Sequence, residues 1–167
     1  GAFLRDCLEE AGCEVIHLDP SVRQTVGGAE IGPDEVAAAA GKSIEEIRAI
    51  GHEGKIQLEM IAGATKLALA RHEQTPLSGI ISIGGSMGTT LGTAVMRAFP
   101  YGMPKVMIST LASGFTVPFV GIKDIVMHNS VCDISGINSI TRDVYRNGAF
   151  AMAGMARHYA PGVAENK

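Results

Sequence analysis

Glycines and hydroxyls crowd one short stretch of this chain, Gly84-Gly85-Ser86-Met87-Gly88-Thr89-Thr90, directly after the strand-like run Gly79-Ile80-Ile81-Ser82-Ile83. Glycines at such a junction let the backbone turn sharply and leave N–H groups uncovered. The first turn of a following helix adds unpaired donors and a partial positive charge. An anion, most often a phosphate, fits that position, with Ser86, Thr89 and Thr90 as hydroxyl donors. The competing reading is a strand-to-helix connection capped by Ser86 or Thr89 that binds nothing, and from these residues alone the two stand level. The loop is neither a Walker A sequence, since no Lys precedes a Ser or Thr, nor the dinucleotide pattern G-x-G-x-x-G. Gly84 to Gly88 does fit G-x-S-x-G, but the His158 that would complete a triad with Ser86 and Asp133 falls near the end of the last expected helix, which argues against a hydrolase.

A second polar loop, Thr110-Leu111-Ala112-Ser113-Gly114, follows the β-rich run Pro104 to Ser109, and Ser113 with Gly114 offers a second cradle. Asp133 fits either a water-mediated magnesium ligand or a helix cap, with the cap the commoner role for such a residue. Asn138 likewise reads as a ligand contact or a cap. Lys105, at a strand start, reads as surface. The five histidines are scattered without metal-ligand spacing, and Cys7, Cys13 and Cys132 form no C-x-x-C, so no metal site and no disulfide framework is expected. No catalytic residue stands out.

These residues need elements to hold them. Phe3, Leu4, Cys7, Leu8 and Ala11 mark an amphipathic helix stopped at Gly12; Glu14 to Leu18 reads as a strand, followed by a loop from Asp19 through Gly27-Gly28 to Pro33. Pro33 to Ala40 reads as a short helix. The capping box Ser43-Ile44-Glu45-Glu46 opens a helical stretch towards His72 with a break at Gly51 or Gly54, its second half presenting Leu58, Ile61, Ala62, Thr65, Ala68 and Leu69. After the glycine loop, Leu91, Ala94, Val95, Ala98 and Phe99 share a helix face that Pro100 ends. Asp124 to His128 reads as another strand, and a last helix carries Ile137, Ile140, Thr141, Val144, Tyr145, Met152 and Met155 before a tail expected to fray from Pro161.

Strands alternating with helices imply an α/β domain, a doubly wound, Rossmann-like, mostly parallel sheet, with Gly79 to Ile83 as a central, nearly fully buried strand. In such sheets ligands bind beyond the carboxyl ends of strands, so loops at Asp19, Gly84, Thr110 and Asp133 are expected to converge. A net charge of −3 without a Lys/Arg run offers no electrostatic footprint for nucleic acid or anionic membranes. No apolar run approaches the roughly 20 residues needed to span a bilayer. A cytoplasmic location fits the cysteine usage.

The blocks Ile83-Gly84-Gly85-Ser86-Met87-Gly88-Thr89, Pro104 to Gly114, Pro118-Phe119-Val120-Gly121 and Val131 to Asn138 resemble the N-terminal ATP-binding domain of the tomato mosaic virus resistance protein family and its uncharacterised bacterial relatives. The resemblance runs from Phe3 to about Arg157. It implies a Rossmann-like subdomain that binds ATP, with Mg, at Gly84, Gly85, Ser86, Gly88, Thr89, Thr90, Thr110, Ser113, Gly114, Asp133 and Asn138, and a tendency to form a homodimer. It assigns no reaction. The family's opening strand and its Gly-Thr-x-Asp-Thr-Lys stretch have no counterpart here, so residues 1–167 are expected to be one nucleotide-binding subdomain of a longer, two-subdomain protein, apparently lacking its first strand. Met87 stands where a small residue is usual, and Phe115 and Val117 where polar residues are common. Two other readings remain: a nicotinamide-dependent dehydrogenase-like domain, disfavoured by the lack of an Asp soon after the loop and of metal-binding histidines, and a non-enzymatic interaction module whose nucleotide is structural or regulatory.

Overall fold

The computed structural model describes residues 1–23, 28–134 and 136–160; Gly27 of the long loop and the tail from Pro161 lie outside the described residues. The elements in chain order are α1 (Ala2–Glu10), α2 (Pro33–Ala39), α3 (Ile44–Ala49), α4 (Glu53–Gln74), β1 (Ile80–Gly84), α5 (Ser86–Arg97), β2 (Lys105–Ser109), α6 (Val117–Val120), β3 (Val126–Asn129) and α7 (Ser139–His158). They fall into two compact units, one of Gly1–Glu14 with Pro76–Lys167, the other Val15–Thr75.

The first unit is an open, parallel sheet of order β1-β2-β3 with helices on both faces, a Rossmann-like, doubly wound arrangement. Alternation along the strands assigns the layers. Gly92 of α5 lies against Ser82 and Met107, which are register partners, whereas Gly148 of α7 lies against Ile108 and His128, which are partners on the opposite face. Both helices come in close: a Cβ on Gly92 would stand 2.5 Å from Ser82 Oγ, and one on Gly148 would stand 2.7 Å from Ile108 Cδ1. α1 packs in turn on α7, burying Leu4, Cys7 and Leu8.

Three expectations change here. The central strand is β2, buried at all five residues, while β1 is an edge strand whose Ile81 and Ile83 are half-buried. An unbroken apolar run reports that both faces are covered, and it is silent about which strands lie alongside. The face of α5 turned to the sheet is Thr89, Gly92, Thr93 and Met96, joined by Val95, with Leu91 and Ala94 half-buried and Ala98 exposed. The sheet approaches too closely for large side chains there, and Thr93 disposes of its hydroxyl on the Thr89 carbonyl at 2.7 Å. Small and hydroxyl residues therefore occupy positions that a hydrophobic count assigns to solvent.

Lys105 is buried, not on the surface. Its Nζ donates to the carbonyls of Pro100 (2.6 Å) and Met103 (2.8 Å) and to Asp124 Oδ1 (3.0 Å), and Asp124 Oδ2 also accepts from the Gly102 N–H at 2.7 Å. A buried ammonium persists because each of its three protons has an acceptor. The cluster ties the start of β2 to the segment entering β3.

In the second unit, the expected strand at Glu14 to Leu18 does not form. Leu18 and Ile31 make one isolated parallel bridge, and Glu30 takes the His17 N–H at 2.8 Å. Asp19 therefore follows no strand; its carboxylate accepts from the Ser21 N–H. α2 and α3 start as expected, with Pro33 at the first position of α2 and a Ser43–Glu46 capping box on α3. The break is at Gly51, which has φ +68°, and Gly54 lies inside α4. α4 buries Met60, Gly63 and Ala64 in place of the predicted face, and Leu58 is 66% exposed. The close approach of Gly63 to the Val36 carbonyl, where a Cβ has no room, selects that face.

Burial alone would raise the pKa of Asp124, but the hydrogen bonds from Lys105 and Gly102 outweigh it and hold the carboxyl below its ordinary value. A depressed carboxyl contributes stability above its unfolded pKa, and that contribution is lost as pH falls through the folded value. We expect Lys105→Met to destabilise the chain by about 1–3 kcal/mol, since buried acceptors lose their donor. It should also flatten the acid limb of a urea-midpoint series run from pH 6 downwards. Equal acid sensitivity of the two proteins would show that the cluster does not set this limb.

Candidate functional site

β1 ends at Gly84, Gly85 occupies the N-cap of α5 without a side-chain cap, and Ser86, Met87 and Gly88 form the helix's first turn. The two ends of this junction touch: a Cβ on Gly84 would stand 2.5 Å from Gly88 Cα. Gly84 is thus glycine for packing. Gly85 differs, with φ −73°, backbone that any residue adopts, and the nearest atom to a Cβ there is Thr110 Oγ1 at 3.8 Å. Gly88 and Gly114 also have room, with nearest atoms at 3.5 Å and 3.6 Å.

Thr89 is fully buried and turned inward. Its Oγ1 lies 2.6 Å from Ser109 Oγ and 3.3 Å from the Gly84 carbonyl, while Ser109 Oγ accepts the Leu111 N–H at 2.9 Å. The Thr110 N–H reaches the same Gly84 carbonyl at 3.4 Å. These bonds fasten the glycine junction to the loop after β2. Thr90 bonds back to the Ser86 carbonyl at 3.0 Å, and Ser86 itself is exposed.

Beside this junction, at the carboxyl ends of β2 and β3, lies a cleft of about 360 Å³, lined by Thr110 and Ser113 from one loop and by Asn129 to Asp133 from the other. Three expected residues, Thr110, Ser113 and Asp133, come together in it. Asn129, Ser130, Val131 and Cys132 join them as lining that the sequence reading does not name; their signals are that they follow the strand whose loop is expected to converge and that Val131 and Cys132 open one of the blocks carrying the resemblance. Asp133 is not a helix cap, for α7 begins at Ser139 and its cap is Asn138, whose Oδ1 accepts the Thr141 N–H at 2.9 Å. The Asp133 carboxylate accepts from the adjacent Ile134 N–H and is exposed. Asn138 is not among the cleft-lining residues.

The loop after β3 is unusual. Val131 has φ +65°, a left-handed conformation that is an outlier for a β-branched residue. It is held there by Val131 N–H to Asn129 Oδ1 (3.0 Å), Cys132 N–H to the Ser130 carbonyl (2.7 Å) and Ser130 Oγ–H to the Cys132 carbonyl (2.7 Å). Ser130 N–H in turn reaches the Ser109 carbonyl at 3.1 Å.

Residues 1–161 match the N-terminal domain of an uncharacterised protein family, UPF0261. The chain belongs to this family. It is 42% identical over 163 residues to a UPF0261 protein of Clostridium tetani, covering 95% of this chain and 40% of that protein. It is 36% identical over 160 residues to one from Mesorhizobium japonicum, covering 96% of this chain and 40% of that protein. Over 91 residues it is 47% identical to the ToMV resistance protein Tm-1 of Solanum lycopersicum, covering 54% of this chain and 12% of the tomato protein. The chain thus spans about two fifths of the length of the curated bacterial relatives it matches.

The glycines provide a test of the local packing. Gly84→Ala should cost about 1–3 kcal/mol by overpacking, while Gly85→Ala should stay within about 0.5 kcal/mol. Thr89→Val, which strips the hydroxyl lying between Ser109 and the Gly84 carbonyl, should cost about 1–3 kcal/mol. Denaturant unfolding of the three variants measures the order, and a Gly85→Ala penalty as large as that of Gly84→Ala would contradict this assignment.

Proposed function

We propose that this chain binds a nucleotide, ATP with magnesium, placing its phosphates where the start of α5 meets the cleft at the ends of β2 and β3. The supporting observation is a set of glycines that the fold does not require. Gly85, Gly88 and Gly114 combine room for a Cβ with backbone outside the left-handed region, so the absence of side chains there leaves space for something from outside. A phosphate is the natural occupant of a glycine junction at a helix N-terminus. Ser86 and the hydroxyls of Thr110 and Ser113 supply neutral donors around it.

The cleft's donor set is oxygen-rich, with Asp133 its one carboxylate among the described residues. That fits a magnesium ion carried mainly by phosphate oxygens and water, with a single carboxylate from the protein. Asp133 would hold the ion, which would neutralise phosphate charge. Thr89 and Asn138 contribute through structure, Thr89 by locking the junction and Asn138 by capping α7. The homodimer belongs to the same proposal. Its surface is the apolar side of α7, where Phe150, Ala151 and Met155 flank a groove of about 750 Å³ that reaches Val126. Sedimentation of the chain at micromolar to hundred-micromolar concentration tests it, and a strict monomer throughout overturns it.

A ligand present at about 100 times its Kd stabilises by about 2.7 kcal/mol, which for a chain of this size raises Tm by about 5–11 °C. We expect that rise with Mg-ATP, a smaller one with ADP, and its loss in Gly85→Val and Gly88→Val while both variants remain folded. Selective stabilisation by NAD would favour the dehydrogenase-like reading. No shift with ATP, ADP, NAD or inorganic phosphate would sink nucleotide binding.

A further inference from the structure

The hydroxyl of Tyr145, in a residue only 3% exposed, is a buried polar group without a hydrogen-bond partner among the described residues. An orphaned hydroxyl is costly, and a phenylalanine would fill the same space without the cost. Tyr145 lies one turn before Gly148, the residue at which α7 meets Ile108 and His128, and near the N-terminal end of that helix. Long side chains on a helix lean towards its N-terminus, so the phenol is directed towards the carboxyl ends of the strands. The loop after β3 leaves from this same end, for His128, against which Gly148 packs, stands two residues before Ser130; burial pushes the Tyr145 phenol up, and the negative charges of Asp133 and Cys132 push it further. The same loop holds Val131 in its left-handed conformation, in the wall of the cleft.

An unsatisfied hydroxyl and a strained backbone at the same end of the sheet are relieved together if the turn moves. We propose that Tyr145 is a positioning residue for the nucleotide: on binding, the Val131–Asp133 turn leaves its left-handed conformation and the Tyr145 hydroxyl donates to the Asp133 carboxylate, fixing that carboxylate in the cleft. This rests on the nucleotide-binding reading. Neither residue stands out in a sequence, since a Tyr in helical register reads as core and a Val after a strand reads as loop. Strain of this kind persists where the surrounding structure over-determines it, and functional sites are where it gathers.

The test uses the intact chain with Mg-ATP as probe and compares wild type, Tyr145→Phe and Val131→Gly by calorimetric titration, ligand-free thermal unfolding and amide hydrogen exchange. Tyr145→Phe should unfold at the same or a higher temperature without ligand, yet bind Mg-ATP about ten-fold more weakly. Val131→Gly, which removes the strain that binding releases, should weaken binding about five-fold or more. Exchange at the amides of residues 131–133 should slow with Mg-ATP in wild type and much less in Tyr145→Phe. If wild type binds Mg-ATP and either variant binds as tightly, the positioning role is overturned while the nucleotide reading stands. If wild type itself binds no Mg-ATP, both fall.

Discussion

Between α5 and β2 two hydroxyls face each other across 2.6 Å, Thr89 Oγ1 and Ser109 Oγ, in a place with no access to water. Each needs the other, because a buried hydroxyl without a partner costs as much as the bond it lacks. The pair also reaches outward, Thr89 to the Gly84 carbonyl and Ser109 to the Leu111 N–H. The first turn of α5, the last residue of β1 and the loop after β2 are thereby bound into one rigid corner. The loop after β3 joins through the Ser109 carbonyl. All that the cleft presents to solvent is hung on this corner.

The central strand is polar-anchored at both extremities and apolar between them. Lys105 opens β2 with three acceptors around its ammonium, Ser109 closes it with Thr89, and Val106, Met107 and Ile108 fill the space between. Such a strand resists slippage, since a shift of one residue would put an ammonium among methyl groups and turn each side chain to the opposite layer. Helices then pack closely on both faces because Gly92 and Gly148 allow their backbones in, and that spacing sets where the first turn of α5 stands relative to β2.

Much of this architecture was legible in the residues: the alternation of elements, the glycine junction, the cap at Ser43, and the gathering of Thr110, Ser113 and Asp133. What was misread shares a cause. Hydrophobic periodicity treats Thr89, Gly92 and Thr93 as solvent-facing, but close layer spacing and local hydroxyl bonds make them the buried face. Lys105 reads as surface because it opens a strand at the end opposite the crevice, and its acceptors, two carbonyls and a carboxylate 19 residues away, carry no local signature. The expected strand at Glu14 to Leu18 has β-like composition, but a strand is made by its neighbour, and among the described residues one bridge to Ile31 is all that forms. The left-handed Val131 was invisible for the same reason: its conformation is imposed by Asn129, Ser130 and Cys132 together, not by its own preference.

The glycines around the cleft divide into two kinds, and that division reaches beyond a single chain. Gly84, Gly92 and Gly148 are required by backbone and side chains that leave no room for another atom, so descent under any selective regime that keeps the fold must keep them. Gly85, Gly88 and Gly114 answer to no such demand from within. If the proposed ligand is what keeps those three positions, a lineage that abandoned it would be free to drift there while remaining fixed at the others, so the pattern of loss along a genealogy would separate the proposed binding from whether the protein still folds.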